Sequence, residues 1–324
     1  MVVEKPFGRN LASAQALNRT LCTYFADHAI FRIDHYLGKE PVQNLIYFRV
    51  ANPVFEAGWN RHSIQRVQIT MAERFGVAGR GPFYEEVGAI RDVVQNHLLM
   101  VMACLAMEQP LGRDHESIRE ERVSVLKLIR PLSPSDVVRG QFQGYRRESG
   151  VAPDSQVETF AALRCYIDSE RWAGVPFYLR TGKCLPVTAS EVLVEFKRPC
   201  WPVLDEIEPP FPNAARFRLS PDVLIALGSN IKVPGEVLVG ERIELVARRG
   251  FGDEMDPYER LLGDAMKGDA TLFARGDGVE AAWHVVQPIL DTPVSLHEYE
   301  PNTWGPREAD RFIEGGWHNP QQTG

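Results

Sequence analysis

Five stretches in the middle of the chain read with a period of two: FAALRCYI at 160–167, FYLRTG at 177–182, EVLVEF at 191–196, VLIAL at 223–227 and ELVARR at 244–249. Separated mostly by polar, Gly- or Pro-containing turns, they predict a large, mainly antiparallel sheet. Val67, Ile69 and Met71, alternating with Gln68 and Thr70, predict a further strand that buries one face only. Three- and four-residue spacing takes over on either side. Leu11, Leu17 and Leu21, with Ala12, Ala14 and Ala16 between them, predict a helix capped by Asn10. Lys39 to Arg49 reads as a second helix, Phe83 to Met107 as one long helix, and YERLLGDAMKG (258–268) and GVEAAWHVVQPIL (278–290) as two more. Val2 and Val3 before a Lys-Pro turn read as the end of a strand, and AIFRID (29–34) as another. The chain thus opens on strand, helix, strand, without the further β-α units that build a doubly wound sheet. The Gly- and Pro-containing tail from Asn302 to Gly324 is expected to be irregular, and no internal repeat or low-complexity linker interrupts the pattern. The expected organisation is a partial domain over residues 1–33 and a single α+β domain over 34–324, with helices on one face of a large, mostly antiparallel sheet.

Composition adds little to this picture beyond exclusions. Hydrophobic residues make up 44% and charged residues 24% of the 324 positions, as in ordinary soluble domains. A formal net charge of -7 argues against a general nucleic-acid binder, whose phosphate contacts need dense positive surface, but leaves room for a mononucleotide or sugar phosphate. Five scattered cysteines, Cys22, Cys104, Cys165, Cys184 and Cys200, form no C-x-x-C pair and have no His at metal-ligand spacing, so reduced thiols in a cytoplasmic protein are expected and no metal site is. The opening MVVEKPFGRN is not a signal peptide, and the apolar run Leu98 to Met107 is too short to span a bilayer, which fits a buried helix and no membrane partner.

Titratable side chains concentrate in three places. In RIDHYLGKE, Arg32 to Glu40, Asp34, His35, Tyr36 and Lys39 fall at a predicted strand-to-helix junction. If the helix begins near Tyr36, His35 and Lys39 lie one turn apart and converge on an anion, helped by the helix N-terminus. A solvated charged turn accounts for the spacing equally well. In GAIRDVVQNHLL, Gly88 to Leu99, Asp92 and His97 sit within an apolar helix. Five residues at about 100° each place them roughly 140° apart, so a carboxylate that orients His97 has to come from elsewhere, with Asp34 the natural candidate. A core histidine bonded to a carbonyl is the alternative. In YLRTGKCLP, Lys183 ends a predicted strand, but Phe177 stands where a P-loop needs its first Gly and Cys184 where it needs Ser or Thr. No G-x-G-x-x-G occurs: Gly79 and Gly81 are followed by Tyr84 at the third position, and Gly250 and Gly252 by Met255.

Taken together, EKPFGRNL (4–11), RIDHYLGKEPVQNL (32–45), GAIRDVVQNHLL (88–99) and RTGKCL (180–185) closely resemble the glucose-6-phosphate dehydrogenase family. ERWAGVPF (170–177) and YERLLGDAMKGDATLF (258–273) extend the resemblance over essentially the whole chain. The resemblance implies oxidation of glucose 6-phosphate to the 6-phosphogluconolactone with NADP as cofactor, the entry step of the pentose phosphate pathway, in a homodimer or homotetramer joined through the sheet. It implies that His97 is the base, with Asp34 behind it. His35, Tyr36 and Lys39 match phosphate-binding positions, Glu73, Asp92 and Lys183 match sugar contacts, and Lys5 matches a lysine beside both substrate and cofactor. Residues 1–33 then correspond to the closing part of a dinucleotide-binding domain whose Gly-rich turn is missing. Thr188 replaces a commonly basic substrate contact, and Ala189 and Leu193 replace basic positions of a second, structural NADP site, so that second site is not expected. A start internal to a longer frame explains the missing turn, since Val2 and Val3 open in mid-strand. A non-catalytic sugar-phosphate-binding or assembly protein is the rival reading.

Overall fold

The computed structural model describes residues 1–77, 79–112, 114–198, 211–236, 240–249 and 255–322. Cys200, Gly250 and Gly252 lie outside the described residues. The chain begins with β1 (Val2–Glu4), α1 (Leu11–Tyr24) and β2 (Phe31–Ile33), the two strands pairing in parallel. Asn10 caps α1 as the sequence indicates: its side chain accepts the Ser13 N–H, and Ser13 reciprocates at the Asn10 backbone. Then follow α2 (Glu40–Val50), a short α3 (Pro53–Glu56), β3 (Ile64–Ala72), α4 (Gly81–Ala89), a π-helix (Ile90–Leu98), α5 (Leu99–Ala106) and α6 (His115–Leu128). Strands β4 (Val137–Phe142), β5 (Phe160–Cys165), β6 (Phe177–Gly182), β7 (Ala189–Phe196), β8 (Ala214–Ser220), β9 (Val223–Lys232) and β10 (Gly240–Arg249) precede α7 (Pro257–Lys267), α8 (Gly276–Asp291), β11 (Leu296–Tyr299) and α9 (Arg307–Asp310).

Among the described residues nine strands form one sheet in the order β10-β9-β8-β7-β3-β6-β5-β4-β11, antiparallel throughout except at β3–β6 and β4–β11. The five period-two stretches of sequence correspond to β5, β6, β7, β9 and β10. The apolar helix α5, buried along its whole length, packs against α2 and α6. The helical run Gly81–Ala106 is long and apolar enough to cross a membrane by length and composition, and 78% of that apolar window is buried inside the fold.

Two expectations from the sequence need correction. The long helix from Phe83 to Met107 is broken: Gly88 has φ 60° and ψ 178°, and the segment beyond it is a π-helix before α resumes at Leu99. Glu158 causes and occupies the break. Its carbonyl accepts the Ala89 N–H at 2.9 Å, its Oε1 accepts the Ile90 N–H at 3.1 Å, and Arg139 Nη2 holds its other oxygen at 2.8 Å. A Cβ at Gly88 would lie 2.5 Å from that Oε1, so the position needs glycine for space as well as for its positive φ. Secondly, β3 is covered on both faces, since Gln68 and Thr70 are each only 3% exposed. The C-terminal tail, irregular apart from α9, lies over the second face. Trp304 and Trp317 each stand 4.6 Å from the buried Arg180 guanidinium, which also donates to the His318 carbonyl at 3.0 Å and to Asn319 Oδ1 at 2.9 Å.

Candidate active site

Lys5 directly follows β1 and Asp34 directly follows β2, so both leave the carboxyl ends of parallel strands, where α/β folds present their ligand sites. Asp34 Oδ1 accepts the Tyr36 N–H at 3.0 Å. That side-chain turn holds the backbone out of the helix, and three successive turn bonds carry it to Lys39. Helix α2 therefore starts at Glu40 with Lys39 as its N-cap, not near Tyr36. The turn itself gathers the cluster: the His35 and Tyr36 rings lie 5.2 Å apart, and Lys39 Nζ stands 3.9 Å over the Tyr36 ring. Among the described residues no carboxylate lies within ion-pair distance of Lys39, which leaves its charge free for an anion.

His97 comes from the π-helix. Its Nδ1 lies 2.6 Å from Asp34 Oδ1, with both side chains almost wholly buried. Its Nε2 lies 2.9 Å from Lys5 Nζ, which also donates to the Asp92 carbonyl at 2.9 Å and to Asp92 Oδ1 at 3.3 Å. An ammonium can only donate, so Nε2 is the acceptor and the ring proton sits on Nδ1, directed at Asp34. Spacing on an ideal α-helix separates Asp92 from His97. The π-helix, whose bonds span five residues, brings the two round to a common partner.

Burial alone pushes the Asp34 carboxyl up; the charge and hydrogen bond of His97, with His35 and the Tyr36 N–H, outweigh it and hold Asp34 at about 2. Burial, reinforced by repulsion from His97, Lys39 and Lys5 and opposed by Asp34, pulls His35 down to about 4. Burial also raises the Tyr36 phenol to about 12 and lowers Lys39. Near neutral pH the turn therefore presents one cation, a neutral imidazole and a neutral hydroxyl.

A cavity of about 480 Å³ opens onto these groups. Lys5, His35, Tyr36, Lys39, Glu73, Asp92, His97 and Lys183 all line it, and Asp34 lies behind His97. Lys183, 2% exposed, forms an ion pair with Glu73. Thr188 also lines the cavity, its hydroxyl accepting the Arg74 N–H at 3.0 Å, while Ala189 and Leu193 are buried on β7. Sequence reasoning missed Ser190, whose hydroxyl lies 3.0 Å from the Tyr36 hydroxyl. Its signal was available, because Ser190 follows Thr188 by two residues, the period of one strand face. It also missed Arg80, an exposed cation at the rim immediately before α4, which no spacing rule distinguishes.

Comparison with known proteins follows the same lines. Residues 46–319 match the family described as glucose-6-phosphate dehydrogenase, C-terminal domain, and residues 1–44 match its NAD binding domain. The glucose-6-phosphate 1-dehydrogenase of Aggregatibacter actinomycetemcomitans is 45% identical over 343 residues, covering 99% of this chain and 69% of the relative. A crystal structure of glucose-6-phosphate 1-dehydrogenase from Mycobacterium avium superposes with a TM-score of 0.92 at 43% identity, over 100% of this chain and 71% of the other. A glucose-6-phosphate dehydrogenase solved in complex with its substrate gives a TM-score of 0.91 at 35% identity, over 99% of this chain and 69% of that one. Sequence, family profile and three-dimensional fold agree along nearly the full length, and the chain belongs to the glucose-6-phosphate dehydrogenase family.

Proposed function

We propose that the chain carries the catalytic and substrate-binding machinery for oxidation of glucose 6-phosphate at C1, with NADP as the hydride acceptor and the 6-phosphogluconolactone as product. The observation that carries this reading is the buried Asp34–His97 pair on a cavity that Lys39, His35 and Tyr36 also line, a set that suits a phosphate. His97 Nε2, its lone pair already directed at Lys5, accepts the proton of the C1 hydroxyl. The imidazolium that forms has the Asp34 carboxylate 2.6 Å from its other nitrogen. Lys39 supplies charge to the phosphate, with His35 and Tyr36 as neutral partners beside it. Glu73, Asp92 and Lys183 offer directional partners for sugar hydroxyls. NADP, when bound, supplies the hydride-accepting chemistry. Of the residues present, Lys5 fits it best, standing at the carboxyl end of β1 beside His97. Assembly into a homodimer or homotetramer through the sheet and residence in the cytoplasm belong to the same reading. Exposed Ile231, Leu245 and Val246 on β9 and β10 support the first, and the free thiols of Cys22, Cys104, Cys165 and Cys184 support the second.

Calorimetric titration of glucose 6-phosphate and of glucose into the folded chain tests the reading. The phosphate ester is expected to bind and Lys39→Met to weaken it at least tenfold, with glucose binding far less than either. Equal affinity for glucose and its 6-phosphate, or unchanged affinity in Lys39→Met, refutes the phosphate assignment.

A further inference from the structure

A second cavity, of about 390 Å³, shares no lining residue with the first. It lies between α2, the end of α5, the start of α6 and the segment at 271–272, and its size is that of a small-molecule site, about 300–1,000 Å³. Val42, Ile46, Val50, Ile118 and Leu272 make its walls apolar. Into this lining α6 places Arg122, only 4% exposed. Its Nη2 donates to the Thr271 carbonyl at 2.6 Å, and its other close neighbour is the Cys104 thiol. Among the described residues no carboxylate lies within ion-pair distance of it.

A guanidinium stays protonated inside proteins, and a buried charge is costly until an opposite charge reaches it. Burial pulls Arg122 below the ordinary arginine range, and the buried Arg119 adds to that pull, against the opposing effects of Cys104 and Asp34. The carboxylate that lines the cavity, Asp114, makes no ion pair with Arg122: its Oδ1 accepts the Ser117 N–H at 2.9 Å and the Ser117 hydroxyl at 3.0 Å, capping α6. The vacant counter-charge and the apolar walls together define a ligand. We propose that this cavity binds a compact amphipathic anion, an aliphatic or aromatic monocarboxylate whose carboxylate pairs with Arg122 and whose hydrocarbon part fills the space between α2 and α6.

Octanoate is the probe and 1-octanol its uncharged counterpart, each titrated calorimetrically into the chain. Octanoate is expected to bind the unmodified chain at least tenfold more tightly than 1-octanol does, and to lose at least tenfold in Arg122→Met, which keeps most of the apolar volume. Ile46→Trp, which leaves Arg122 in place and plugs the cavity, is expected to abolish binding, and it decides the matter if Arg122→Met does not fold. Saturating glucose 6-phosphate is expected to leave octanoate binding unchanged. No binding to the unmodified chain, equal affinity for the alcohol, undiminished binding in either variant, or displacement by glucose 6-phosphate overturns the proposal.

Discussion

Replacing Asp34 by Asn isolates the charge behind the candidate base, because Asn keeps the size and the acceptor oxygen of a protonated carboxyl. The carboxyl is held at about 2 against an ordinary 3.8, and a shift of that size corresponds to roughly 2 kcal/mol of folding stability at neutral pH. The sign follows from the depressed value: the contribution is complete above pH 3.8, falls to about half near pH 3, and is lost as the pH drops through 2. Urea denaturation of the two proteins at pH 7, 5 and 3 should therefore show Asp34→Asn less stable by about 2 kcal/mol at the first two, with the gap about halved at the third. Chemistry should suffer separately. A hydrogen bond to an ionised partner is worth about 1.5–3 kcal/mol against about 0.5–1.5 for a neutral one, so turnover should fall roughly tenfold while glucose 6-phosphate affinity is kept. NADP reduction is best measured in the chain extended at its N-terminus by the corresponding part of the Aggregatibacter relative, with substrate binding measured in the chain itself. Equal stability at pH 7, or unchanged turnover in an otherwise active protein, would refute the argument that the ionised carboxylate is what His97 faces.

The neutral state of His35 gives a second expectation. A phosphate dianion favours its protonation, so binding should take up protons, and affinity should rise as the pH falls from the bound value toward the free value of about 4. Calorimetry in buffers of different ionisation heat should show less uptake in His35→Gln, leaving only the ligand's own share; identical uptake refutes it. At the helix break, Gly88→Ala should cost about 1–3 kcal/mol from backbone strain alone, with more from the contact with Glu158 Oε1. It should also weaken glucose 6-phosphate binding, because the same segment carries Asp92 and His97; full stability with normal affinity would show that the break is incidental.

How much of this was readable in the sequence depends on whether the determining contact is local. The period-two reading found β5, β6, β7, β9 and β10, whose β-branched and aromatic residues stand between turn residues along the chain. It overlooked β8, where Ala215, Phe217 and Leu219 alternate with Arg216 and Arg218, because that stretch follows a Pro-rich segment and is broken by charge; in the structure both arginines pair with Glu191. It called β3 half-buried because nothing in Gln68 or Thr70 announces a cover that arrives from Trp304, Trp317 and His318, far along the chain. The site divides in the same way. Its chemistry was legible because Asp34, His35, Tyr36 and Lys39 crowd into one turn and Asp92 and His97 into one helix. Its geometry was not, because it hangs on the phase of that helix. An α-helix through residues 88–99 keeps Asp92 and His97 apart, and only the break imposed by Glu158 at Gly88, with the π-helix beyond it, turns both toward Lys5. Glu158 lies seventy residues downstream of that glycine, on the lead-in to β5, so the sequence marks the helix break only by an out-of-place Gly, while its cause becomes visible once the sheet has brought Arg139 and Glu158 against the helix.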